Sequence, residues 1–315
     1  MKAFVPFLFL VSFLASGWAS PLELDPNYGK LVATCTGGAK TAGQSTVWFF
    51  KQWHLAPSVD TTSIEKSKKL PQYENQHAIY LQLSSWAERG KLSAVIAEGC
   101  GSADLKSDEL LHSNLKFNGW NIDLLKKKAQ GADYSSILTS VPLKLAAKYG
   151  DALHVYCGDD EGLAKKHALA FSDARGDIGF LKRLQQYKDN PEQEKIYMDG
   201  VVQTYHLSTP PSYDQAVKRL DNELKKAVSE ADLYLQKRNE HLVQVIRHAL
   251  DKSPKGSNIA VVFGGAHASG VKSLLEASGL QCKVVDPVGY NDDETQLFEK
   301  LKELINAPLP SSGAQ

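Results

Sequence analysis

The sequence predicts an α/β protein with a mostly parallel or mixed central sheet, helices on both of its faces, and a helical insertion. Three observations carry that expectation. Short apolar or β-rich runs at 46–53, 92–97, 153–156, 259–263 and 282–285 alternate with longer segments of helical periodicity. Several of these runs are almost continuously apolar, as strands buried on both faces are. Strands separated by helices require crossover connections, which make neighbouring strands parallel.

Taken in order, residues 1–19 read as a secretory signal. Lys2 is followed by an apolar run over 3–14, broken by Pro6 and Ser12, and cleavage after Ala19 places Gly17 at the −3 position. That run is shorter than the roughly 20 residues a spanning helix needs, and no later segment approaches it. The expectation is therefore an exported protein, periplasmic or extracellular, with no transmembrane segment in the mature chain. Residues 20–305 are expected to form a single domain, and 306–315, with Pro, Ser and Gly, a disordered tail.

Residues 21–45 are rich in Gly and Thr and are expected to be irregular. The strand at 46–53 ends at His54, and Pro57, Asp60 and two threonines form a loop. Residues 72–90 carry Ile79, Leu83 and Trp86 at helical spacing, with Gly90 at the stop. The next strand, 92–97, runs into Glu98-Gly99. Residues 103–149 are mostly helical by composition, and the strand at 153–156 runs into Cys157-Gly158-Asp159-Asp160. A long helix at 213–250 repeats Leu220, Leu224, Ala227, Ala231, Leu235, Leu242, Val245 and Ala249 at mostly three- and four-residue intervals. Ser253-Pro254-Lys255-Gly256 stops it. A buried strand at 259–263 leads into Gly264-Gly265-Ala266-His267, a helix at 269–278 is closed by Gly279, and a last strand at 282–285 ends at Asp286-Pro287.

Composition narrows the function classes. Lys plus Arg and Asp plus Glu both number 36, so no basic excess points to nucleic acid or an anionic membrane. Cys35, Cys100, Cys157 and Cys282 are too widely separated for a zinc ribbon. In an oxidising compartment they allow one or two bridges, with three full pairings that sequence does not rank.

Open α/β sheets hold ligands beyond the carboxyl ends of their strands. Three candidate groups fall there: His54, Glu98 and His267. Two imidazoles and a carboxylate suit a divalent transition metal and leave positions open for water and substrate. The same groups can act without metal, one histidine serving as general base. Each has a structural alternative: a loop histidine at 54, a salt bridge at Glu98, a tight glycine turn before His267. Arg238 continues the apolar stripe of the long helix. It either snorkels to the surface or reaches the site, to pair with Glu98 or to hold a substrate oxyanion. Glu98, Arg238 and His267 are thus the catalytic candidates. His241 and His248, seven apart, are weaker, and His77, His112, His154, His167 and His206 have no partner at ligand spacing. Asp159-Asp160 also lies at the carboxyl edge and reads as a solvated turn.

The stretches K-R-N-E-H-L-V-Q-V-I (237–246) and N-I-A-V-V-F-G-G-A-H-A-S-G-V-K-S-L-L-E-A-S-G-L-Q-C-K-V-V (258–285) resemble the C-terminal part of TraB/GumN and Tiki-type proteins. That family shows an Arg-Asn on a helix, then a strand into Gly-x-x-His. The wider clan, with erythromycin-esterase-like hydrolases and ChaN-type haem-binding proteins, carries two such motifs and a glutamate after an early strand. Here the second motif is intact as Gly264 to His267, while the first, Lys51-Gln52-Trp53-His54, has lysine in place of glycine. The resemblance implies a metal-dependent peptidase (Mn, Co or Zn) with His54, Glu98 and His267 as ligands, and Arg238 steadying developing charge. Its other branches imply metal-free ester hydrolysis or non-catalytic haem capture. A peptide or small-molecule substrate is the expected partner; the oligomeric state is left open.

Overall fold

The structure is a computed structural model that describes residues 22–36, 44–53, 70–99 and 141–306. Within these residues six strands form one mixed sheet: β1 (Gly29–Thr34), β2 (Thr46–Gln52), β3 (Ala94–Ala97), β4 (His154–Cys157), β5 (Asn258–Gly264) and β6 (Gln281–Pro287). Their spatial order is β1-β6-β2-β5-β3-β4. Every pairing is parallel except that of β1 with β6. Among the described residues seven α-helices accompany them: α1 (Pro71–Glu88), α2 (Val141–Tyr149), α3 (Glu161–Gln186), α4 (Pro191–Thr204), α5 (Tyr213–Lys252), α6 (Ala268–Ala277) and α7 (Asp293–Asn306).

The chain moves across the sheet in one direction from β2 to β3 to β4, then reverses through β5 to β6. Right-handed crossovers in opposite directions put their helices on opposite faces. Accordingly α1 and α2 cover one face, where Trp48, Phe50, Val95, Val155 and Val262 meet Ile79, Leu83, Trp86 and Leu145. The C-terminal half of α5 and α6 cover the other, where Val47, Phe49, Ile96, Val261 and Phe263 meet Leu242, Ile246, Val271 and Leu275. Alternate residues of β2 serve the two cores, which is the period of a strand. The expected α/β class is what the chain adopts.

The long helix α5, about 60 Å from end to end, begins at a capping box formed by Ser212 and Gln215. Its first half leaves the sheet and packs with α3 and α4 around Ala174, Leu181, Leu184, Val201, Leu220 and Leu224. These helices form a bundle beyond the sheet; the sequence reading expected a helical insertion without placing it.

Three expectations need comment. Residues 21–45 were expected to be irregular, yet 29–34 form β1, an edge strand whose Leu31 and Val32 face outward. Its pairing with β6 is fixed by the Cys35–Cys282 disulfide, and Cys157 is disulfide-bonded as well. The helical reading of 103–149 is met over 141–149; the rest, with residues 1–21 and the tail after 306, lies outside the described residues. Among those described, no helix is long and apolar enough to cross a membrane.

Candidate functional site

The site lies at the carboxyl edge of the parallel strands. Four strand ends converge there: Gln52-Trp53 after β2, Glu98 after β3, Asp159 after β4, and the turn from Gly265 to His267 after β5. All of these but Asp159 line a cavity of about 340 Å³, closed from the helical side by His167, Phe171 and Arg175 of α3 and by Tyr290.

Arg238 stands at the centre. It is 7 % exposed, and its guanidinium donates to Asp159 through Nε (2.9 Å to Oδ1) and Nη2 (2.8 Å to Oδ2). Nη2 also donates to Glu98 Oε1 at 2.7 Å. Burial disfavours its charge, but the hydrogen bonds to Asp159 and the charge of Glu98 outweigh that cost and hold it firmly protonated. Glu98 is held from its other oxygen by the Gly264 backbone N–H at 2.6 Å. One guanidinium therefore joins β3, β4 and α5, and a backbone amide ties β3 to β5. The sequence expectation that Arg238 pairs with Glu98 holds. The solvated turn expected at Asp159-Asp160 does not: Asp159 is 3 % exposed because it is the bidentate partner of Arg238. Asp160 caps α3 through Leu163 N.

His267 occupies a single 3-10 turn between β5 and α6 and is 2 % exposed. Its Nδ1 lies 2.6 Å from Asn239 Oδ1. A carbonyl oxygen only accepts, so Nδ1 carries a proton, and Nε2 is the ring nitrogen turned toward Glu98. That Nε2 sits 3.6 Å from Glu98 Oε1. The gap between the two atoms is of a size that a shared proton or a cation would bridge. Asn239 follows Arg238 on α5, so one turn of helix orders both the carboxylate and the imidazole.

The glycines here serve close approach rather than a left-handed turn. Gly264 has an ordinary φ of −52°. A Cβ on Gly265 would overlap the Tyr290 hydroxyl, and a Cβ on Gly270 would lie 2.3 Å from Asn239 Nδ2. Gly270 thus makes room for the amide that orients His267.

His167, which has no partner at ligand spacing in the sequence, enters the site through Arg238. Its Nδ1 is 3.2 Å from Arg238 Nη1. Arginine can only donate, so this nitrogen accepts and Nε2 keeps the hydrogen. Burial, reinforced by the charge of Arg238, pushes its pKa down to about 4. At neutral pH it is an uncharged ring offering a donor. A one-dimensional signal for it exists: Asp160 starts the helix at the strand end, so a histidine in its second turn lies over the site.

His54 lies outside the described residues. The backbone leading to it is nonetheless anchored: Trp53 N–H donates to Asn75 Oδ1 at 2.8 Å, and Gln76 Nε2 to Trp53 O at 3.2 Å. Lys51 pairs with Asp286 at 2.9 Å. The weaker histidines 241 and 248 do not enter this cavity; His248 packs edge-on against Tyr156, with ring centroids 5.9 Å apart.

The donor chemistry can be tested against a metal. Ligand bonds of about 2.0–2.2 Å at tetrahedral or octahedral angles put neighbouring donors roughly 3–3.5 Å apart. The Nε2–Oε1 separation of 3.6 Å is close to that span. Among the described residues no group of three such donors assembles, so a third protein ligand would have to come from elsewhere, with His54 the sequence candidate. Compared with known protein families, curated proteins and solved structures, the chain has no match.

Proposed function

We propose that this protein is an exported hydrolase that cleaves peptide bonds, with His267 and Glu98 as its reactive pair and a divalent metal held between them and His54. One observation carries the reading: His267 Nε2, its ring held by Asn239, faces Glu98 Oε1 at 3.6 Å inside a cavity. A bound metal would supply an activated water and polarise the scissile carbonyl. The chain's own residues do the rest. Asn239 holds the imidazole plane, Arg238 and the Gly264 N–H hold the carboxylate, and His167 offers a neutral donor to a developing oxyanion. The two disulfide-bonded cysteine sites support an oxidising compartment.

The Asn239–His267 hydrogen bond favours a second reading, metal-free hydrolysis with His267 as general base. Turnover of a peptide library and of simple esters, with and without added Mn²⁺, Co²⁺ or Zn²⁺, separates the two. The metallopeptidase reading expects metal-stimulated peptide cleavage, and expects Asn239→Ala to lower kcat about 10–100-fold at little change in KM. Ester cleavage indifferent to metal supports the second reading. Full activity in His267→Ala removes both.

A further inference from the structure

Helix α3 runs outward from the reactive pair like a ruler. His167 touches Arg238 at the inner end. One turn on, Phe171 stacks with His167 at 6.3 Å between ring centroids and meets the buried Phe298 edge-on at 5.6 Å. One further turn on, Arg175 lines the same cavity from an exposed position. Among the described residues Arg175 has no ion pair or hydrogen bond, unlike Arg238, whose guanidinium is fully engaged. Reactive groups, an aromatic wall and an uncommitted cation thus follow one another on one helix face.

From this order we infer that Arg175 selects the substrate, and that the preferred substrates carry a carboxylate two to three residues from the bond that is cut. The proposal rests on the hydrolase reading and deepens it. The spacing follows from helix geometry: two turns separate His167 and Arg175 by about 12 Å along the axis. Side chains on a helix lean toward its N-terminus, which brings the Arg175 guanidinium back toward the reactive end. An extended peptide covers about 3.3–3.6 Å per residue, so two to three residues span what remains. The residue between would lie along Phe171 and is expected to be apolar. A planar guanidinium matches a carboxylate in two-point contact, and at a cavity mouth it does so without a large desolvation cost.

The test uses the purified full-length chain and two N-acetylated phenylalanine-containing tripeptides, identical except for a free carboxylate or a carboxamide at the C-terminus. Equilibrium binding and kcat/KM are both measured. The wild type should favour the acid about tenfold or more. Arg175→Gln should bring acid and amide within about twofold, and Arg175→Glu should reverse the order. Equal treatment of both peptides by the wild type, or a preference that survives in Arg175→Gln, overturns the proposal. Absence of cleavage counts against the hydrolase reading alone, because the binding comparison still reads the role of Arg175.

Discussion

At the scale of single residues, the site is a set of mutually fixed protonation states. Arg238 is held charged, His167 is held neutral, and His267 keeps a proton on Nδ1. His167 gives this a measurable consequence. Its folded-state pKa of about 4 lies below the ordinary 6.5. As pH falls, the unfolded chain takes up this proton first, so stability from the neutral ring is complete above pH 6.5 and is lost toward pH 4. Between pH 7 and pH 4, urea unfolding should show the wild type losing up to about 3 kcal/mol more than His167→Gln. Parallel losses in the two proteins would mean that His167 is not buried as described. The partners of this residue were hidden in the sequence for a plain reason. Arg238 lies 71 residues beyond His167 along the chain, and only the packing of α3 against α5 brings the two together. Glu98 and His267 were legible because each directly follows an apolar strand, where an open sheet places its ligands.

At the scale of elements, two small residues decide how closely the helices approach the site. A Cβ on Gly158 would lie 2.6 Å from Ile96 and 2.7 Å from Leu242, so Gly158→Ala should cost about 1–3 kcal/mol of stability by overpacking β3 against α5. Gly270→Ala, by contrast, pushes on the Asn239 amide and should lower activity more than it lowers the melting temperature. Comparing thermal unfolding with turnover for both variants checks this contrast. The strands buried on both faces, and the long helix with its periodic stripe, were readable because burial and period agree there. Strand β1 was not. Its outward Leu31 and Val32 break the buried pattern, and its partner β6 lies 247 residues away at the Cys35–Cys282 crosslink.

At the scale of the molecule, the sheet edge opposite the site is closed by that crosslink. It joins the first strand to the last and spans nearly the whole described chain. Replacing both cysteines by serine should lower the free energy of unfolding by about 3–5 kcal/mol, read from the shift in the urea midpoint. The site lies at the far ends of β2 and β5, so metal-stimulated activity in native conditions should survive the replacement. The same α/β frame, doubly wound about β2 and β5, explains why residues from three strand ends and Arg238 of α5 share a single cavity. His54 is the one site candidate that lies outside the described residues; Gln52 and Trp53, which precede it, line the cavity.

The reactive pair is therefore best tested through what it is proposed to hold. Metal content is measured after equilibrating the purified protein with Zn²⁺ and removing free ion, for the wild type and for His54→Ala, Glu98→Gln and His267→Ala. The account predicts about one equivalent in the wild type and a clear loss in each variant. A wild type that retains no metal, or a His267→Ala protein that retains as much, would contradict it.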